Sequence, residues 1–101
     1  MRRERVIVRV GAGPTWTSGP PENQPGWPEH ERFIDDLVDR GTVVMGGPYS
    51  DYSGSLVLVE GMTSGEARQV FEQDPFVRNG VFVLEDVRDW IVYVDRLTSR
   101  S

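Results

Sequence analysis

The stretch TVVMGGPYSDYSGSLVLVE, from Thr42 to Glu60, contains two apolar runs with only a turn between them. Thr42-Val43-Val44-Met45 is short and β-branched, and Gly46-Gly47-Pro48 ends it or bends it. Ser50-Asp51-Tyr52-Ser53-Gly54 has turn chemistry, and Ser55-Leu56-Val57-Leu58-Val59-Glu60 reads as the returning strand. The two runs predict a hairpin, which leaves no room for a helix between its strands. The fold then depends on what lies on either side.

On the N-terminal side the chain predicts a helix from about Trp27-Pro28. Proline suits the first helical position, and Glu29 and Glu31 put negative charge where the helix dipole favours it. His30, Phe33, Ile34, Leu37 and Val38 recur at i, i+3, i+4, i+7 and i+8 and share one face. Asp35, Asp36, Asp39 and Arg40 take the solvent side, and Gly41 stands where a left-handed residue ends a helix. On the C-terminal side Thr63-Ser64-Gly65-Glu66 fits a capping box. It opens a second helix that buries Ala67, Val70 and Phe71, with Met62 stapled against Ala67 and Asp74-Pro75 as the stop.

Arg5-Val6-Ile7-Val8-Arg9-Val10 alternates, with the valines on one face and Arg5, Ile7 and Arg9 on the other, and forms the first strand. Val81 to Glu85 begins the last strand and Trp90 to Val94 continues it, with a bulge or bend over Asp86 to Asp89. The order is β-α-β-β-α-β. This is the ferredoxin-like α+β class, a four-stranded antiparallel sheet with two helices on one face. Apolar residues on both alternations of several strands call for a cover over the bare face, and the sheet of a second copy is the simplest one. The expectation is a homodimer forming a dimeric α/β barrel.

A single domain over residues 1–101 is expected, because this length accommodates one hydrophobic core. Residues 11–26 hold four glycines and four prolines and predict a long irregular loop. Loops of that length in a compact domain tend to cover a site or to move, and Trp16 is placed to fold over a pocket or simply to anchor the loop. The tail from Thr98 to Ser101 is expected to fray.

Eleven basic against sixteen acidic side chains leave a net charge of -5, with the cations scattered. Nucleic acid is therefore not an expected partner. No signal peptide, membrane span or lipid anchor is read, and with no cysteine neither disulfides nor thiolate metal sites are available. The expected setting is cytoplasmic, with a small-molecule ligand, no metal and no cofactor. His30 is the only histidine. In the first turn of a helix it suits a neutral ring able to act as a base, although from spacing alone an ordinary core histidine satisfied by one hydrogen bond is the plainer reading. Asp74 is expected at a helix C-terminus, where the dipole repels a carboxylate and a nearby donor would relieve it, but Asp-Pro is also a common helix-stopping pair. With both helices on one face of the sheet, the two residues can approach each other.

Pro28-Glu29-His30, the run Gly41 to Pro48, Gly54-Ser55, Glu66-Ala67, Asp74-Pro75-Phe76 and Gly80 together resemble the YciI-like (YCII-related) family, over about Pro28 to Trp90. The resemblance implies a dimeric α+β barrel with a pocket holding a His-Asp pair, here His30 and Asp74. One branch of that family acts on chlorinated hydroxyhydroquinones as a dehydrochlorinase. Members often carry arginine three residues before the histidine, where this chain has Trp27, and the 11–26 loop is unusually long and rich in proline and tryptophan. Both departures imply an enlarged or aromatic-lined pocket. The expected activity is cofactor-free proton transfer, of the lyase, isomerase or dehydrochlorinase kind, on an aromatic, phenolic or polyketide-like substrate. In it His30 acts as base, Asp74 orients it, and Arg9, Trp16, Trp27, Tyr49 and Ser55 are the candidate substrate-binding residues. The alternative is a non-catalytic small-molecule-binding or accessory module.

Overall fold

The computed structural model describes residues 3–97, so the expected fraying of Thr98–Ser101 lies outside the described residues. Strands β1 (Arg3–Ala12), β2 (Val43–Pro48), β3 (Gly54–Val59) and β4 (Phe82–Val92) are joined through helices α1 (Trp27–Asp39), α2 (Ser64–Phe71) and the short α3 (Pro75–Arg78). The strands form one sheet in the order β2-β3-β1-β4, and every neighbouring pair is antiparallel. This is the four-stranded α+β architecture that the hairpin reading predicts, with β1 and β3 at its centre.

The alternation in β1 sets which face is which. Val6, Val8 and Val10 point to the helices and are buried with Val59 of β3, Leu37 of α1, and Ala67 and Phe71 of α2. Both long helices therefore cover the same face. The capping box forms as the residues require: the Thr63 hydroxyl accepts from the Glu66 amide and the Glu66 carboxylate accepts from the Thr63 amide. Gly41 takes φ +78° after α1, the left-handed conformation that a glycine closes a helix with.

Strand β1 runs on through Gly11 and Ala12, so the irregular loop begins after them rather than at 11, and β4 ends at Val92 rather than Val94; four further features differ from the pattern-based reading. Strand β2 does not end at Met45 but runs on through Gly46-Gly47-Pro48, with Val44 as the extra residue of a bulge against Leu58 and Val59. A proline is acceptable there because β2 is an edge strand and its missing amide takes no partner from the ladder. Strand β4 is continuous across Asp86–Asp89, and its irregularity falls instead at Glu85, since Arg9 pairs with Asp86 and Val10 with Leu84. Val38, expected on the buried face of α1, is 50% exposed and lines the cavity between that helix and the sheet, where no side chain covers it fully.

The fourth difference concerns Asp74. It does not lie at the C-terminus of α2, which ends at Phe71, but is the N-cap of α3, and its carboxylate accepts the Phe76 amide at 2.9 Å. The expected repulsion by a helix C-terminus is replaced by a donated hydrogen bond. Proline is the physical reason: Pro75 forbids a continued α2 at Asp74 yet is well suited to start a new helix one residue later.

The face away from the helices carries Arg5, Ile7 and Arg9 of β1 beside Leu56 and Leu58 of β3 and Trp90 of β4, as the register requires. Arg5 is buried there and pairs with Glu60 at 3.1 Å, whereas Leu56 is 37% and Trp90 45% exposed. Among the described residues no helix is long and apolar enough to cross a membrane.

Candidate functional site

His30 enters the site because α1 starts where it does. Gly26 adopts φ +88° just before the helix, and its carbonyl receives the His30 amide at 3.0 Å. A side chain would be strained at that left-handed φ, and its Cβ would also stand 2.7 Å from the side-chain nitrogen of Asn79, so the position favours glycine. Asn79, just past α3, donates from that nitrogen to the Pro25 carbonyl at 2.9 Å. The start of α1 and the end of α3 are thereby stitched together, and this brings His30 over the first turn of α3.

The result is a buried pair. His30 Nδ1 lies 2.7 Å from Asp74 Oδ1, and the two residues are 9% and 2% exposed. The same Oδ1 receives the Phe76 amide. An ionised carboxylate can only accept, so Nδ1 is the donor in this pair, and in the neutral ring the lone pair then falls on Nε2. The ring is held by aromatic neighbours: Phe76 stacks on it at 4.1 Å between centroids and 9° between planes, Phe82 meets it edge-on at 5.7 Å, and Trp27 lies at 5.6 Å. Such packing leaves the imidazole little freedom to turn.

His30, Asp74, Trp27 and Phe82 border a cavity of about 410 Å³ between α1 and the β2–β3 edge of the sheet. Its floor is Val10, Ser55, Val57, Phe71 and Phe82, and one side is the backbone of Gly46-Gly47-Pro48. His30 Nε2, Asp74 Oδ2 and the Ser55 hydroxyl have no hydrogen-bond partner among the described residues, yet no unpartnered side-chain nitrogen or oxygen is sealed from solvent. All three residues line the cavity, so these free polar atoms open onto it. An apolar chamber with a few convergent polar groups is the usual character of a small-molecule site.

Of the residues singled out in the sequence, His30, Asp74, Trp27 and Ser55 are brought together around this cavity. Trp16 does not border it: its ring stacks on Phe82 from behind, at 5.9 Å and 18°. Arg9 and Tyr49 do not border it either. Arg9 projects from the other face of the sheet, 3.5 Å from Asp86 and 3.7 Å from Glu85, and the Tyr49 phenol, followed by these carboxylates, holds its guanidinium above the ordinary arginine range.

Several cavity residues escaped the sequence reading. Phe82 lines the cavity and meets the imidazole edge-on, while Phe76, part of the Asp-Pro-Phe motif, lies outside the lining and packs flat against the imidazole ring. Glu22, Glu31 and Asp35 also line the cavity; Asp35 is exposed, as its place on the solvent side of α1 predicts, and sits at the cavity's open rim. The loop supplies Pro21 and Glu22 to the rim, from a single 3-10 turn at Pro21–Asn23 that residue type alone did not suggest. No three His, Asp or Glu side chains among the described residues are grouped as a metal ion would require.

Comparison with known proteins bears on the fold and the family. None of the curated proteins compared with the chain matches it. A solved structure, the 5-chloro-2-hydroxyhydroquinone dehydrochlorinase TftG from Burkholderia phenoliruptrix AC1100 in complex with 2,5-dihydroxybenzoquinone, is similar at a TM-score of 0.58. The likeness covers 87% of this chain and 91% of that one at 20% sequence identity, and so concerns the fold. The family model of the YCII-related domain matches residues 10–91, the span that carries the end of β1, the helices, the hairpin, the buried pair and most of β4, and on that match the chain belongs to the YCII-related family.

Proposed function

We propose that this protein is a cofactor-free enzyme of small-molecule metabolism, a lyase or isomerase, in which His30 moves a proton on an aromatic or phenolic substrate. One observation carries the reading: a histidine tied through Nδ1 to a buried carboxylate at 2.7 Å, with its Nε2 unpartnered at a largely apolar cavity. An ordinary core histidine would have no need of a cavity at its second nitrogen.

In the proposed step, Nε2 takes a proton from a phenolic O–H or from carbon beside a carbonyl, and Asp74 orients the ring and stabilises the imidazolium that forms. The electron pair left on the substrate then has two outlets. It can expel a leaving group from a neighbouring carbon as its anion, so that the net change is loss of HX, as in a dehydrochlorination. Alternatively the imidazolium returns the proton at another carbon, so that the net change is isomerisation. Ser55 and Trp27 are the proposed substrate contacts, the first through its free hydroxyl and the second through its ring. Trp16 backs Phe82 and acts on the site only through it, and Arg9 and Tyr49 belong to the opposite face. The shared fold with TftG, a dehydrochlorinase, supports a hydroquinone-like substrate. The exposed apolar side chains of the open sheet face support a homodimer.

The test is turnover of chlorinated hydroquinones, other substituted phenols and lactones by the wild type, His30→Asn and Asp74→Asn. A positioned base contributes about 10²–10⁴-fold, so His30→Asn should lose that much while still binding ligand. Full activity in His30→Asn would remove the base. Ligand binding without turnover in the wild type would leave a binding module instead.

A further inference from the structure

The charges around the cavity are all of one sign. Asp74 lies inside it, and Glu22, Glu31 and Asp35 stand around it. No arginine lines it, and the chain has no lysine. The arginines that form ion pairs do so elsewhere: Arg5 with Glu60, Arg9 with Glu85 and Asp86, Arg40 with Asp36, and Arg88 with Asp86. Among the described residues Glu22, Glu31 and Asp35 have neither an ion pair nor a hydrogen bond.

The contrast within α1 is informative. Asp36 and Arg40 are four residues apart and pair at 2.7 Å, which supports the helix. Glu31 and Asp35 have the same spacing, carry like charges and border the cavity, an arrangement that costs helix stability unless a cation sits between them. A second and independent sign of a ligand is Ser55, which is 8% exposed and has an unpartnered hydroxyl at the floor of the same cavity. Trp27 adds an aromatic wall, and ring faces attract cations. A carboxylate or phosphate on a ligand would find no counter-charge in this site.

We infer that the cavity selects an aromatic molecule bearing a protonated amine, its ring beside His30 and Trp27 and its ammonium group against Glu31 and Asp35, and that it rejects anionic analogues. This rests on the reading of the cavity as a ligand site and narrows its substrate class. The ring fills the apolar chamber between α1 and the sheet. The ammonium takes the place of the missing basic side chain at the rim, with Glu22 approaching from the loop.

Three phenols that differ mainly in the charge of one arm test this: tyramine, 4-ethylphenol and 4-hydroxyphenylacetate, titrated calorimetrically into the wild-type protein at neutral pH and low salt. Tyramine should bind about 3–10-fold tighter than 4-ethylphenol, and 4-hydroxyphenylacetate weaker than both, with the spread shrinking as salt is added. In the double variant Glu31→Gln/Asp35→Asn, both positions being exposed, the tyramine advantage should fall below about 2-fold. Equal binding of the three, tighter binding of the anion, or an advantage that survives the double variant would overturn the charge selection while leaving the cavity a ligand site. Binding of none of the three would overturn both. The His30→Asn turnover assay bears on the base alone.

Discussion

Asp74 Oδ1 accepts two hydrogen bonds in a place that water barely reaches, one from His30 Nδ1 and one from the Phe76 amide. Removing the carboxylate leaves two buried donors without an acceptor, and each such loss costs about 1–3 kcal/mol. Asp74→Ala should therefore lower the unfolding free energy by about 2 kcal/mol or more, read from the urea midpoint at constant slope. Asp74→Asn keeps an oxygen of the same reach and should be clearly less destabilising. If the alanine variant were as stable as wild type, the pair would not be the anchor that the geometry indicates. The same residue shows how far local pattern carries. Asp-Pro announced a helix stop, and α2 does end before it. That the carboxylate caps a new helix, and so faces His30, depends on the four residues of α3, too short a segment to leave a periodic trace.

At the scale of elements, the segment between β1 and α1 is the least expected part of the structure. Its composition predicted irregular backbone, and it is irregular, but it is well tied. Gln24, 4% exposed, donates to the carbonyls of Thr17 and Pro20, and its side-chain oxygen accepts from the amide and hydroxyl of Thr17. Gly13 and Thr15 donate backbone bonds to Val81 and Gly80. One buried amide side chain thus does for this loop what a ladder does for a strand. Gln24→Ala should speed hydrogen exchange of the Thr17 amide and its neighbours by about 10-fold or more, each lost bond counting for about 1 kcal/mol, while amides of the core strands stay protected. Unchanged exchange at Thr17 would show that the loop is held by Trp16 and the prolines alone. Glutamine carries no sequence signature for such a role, because its partners are set by how the loop closes on itself.

At the scale of the whole molecule, the sheet separates two functions. The face under the helices holds the core and the cavity, and the opposite face exposes Leu56, Val83 and Trp90 around Arg9, Asp86 and Arg88. An apolar patch rimmed by paired charges is the kind of surface that copies of a chain bury against each other. The proposed homodimer predicts that Leu56→Glu, at a position exposed in the single chain, converts a dimeric sedimentation mass at micromolar concentration to a monomeric one while leaving the fold intact by circular dichroism. A monomeric wild type would remove that role from the face.

Much of this architecture was legible along the chain. Periodicity distinguishes helix from strand, the Thr63 to Glu66 box and Gly41 mark helix ends, and two runs joined by a turn cannot be a crossover. These are local signals, carried by residues within one or two turns of each other. His30 and Asp74 were legible as candidates for a similar reason, His30 through its place in the first turn of a helix and both through the family's motifs, although the helix end that Asp74 occupies was not. What the tertiary structure alone decided is the set of partners. The cavity holds Ser55 and Trp27 but neither Arg9 nor Tyr49, because side chains alternate along a strand and Arg9 falls on the far face of β1. The bulges at Val44 and Glu85 depend on the register of neighbouring strands, and the rim of Glu22, Glu31 and Asp35 forms only where loop and helix meet. Contacts between residues distant in sequence leave no period to read, and in this protein the charge and shape of the site are made of such contacts.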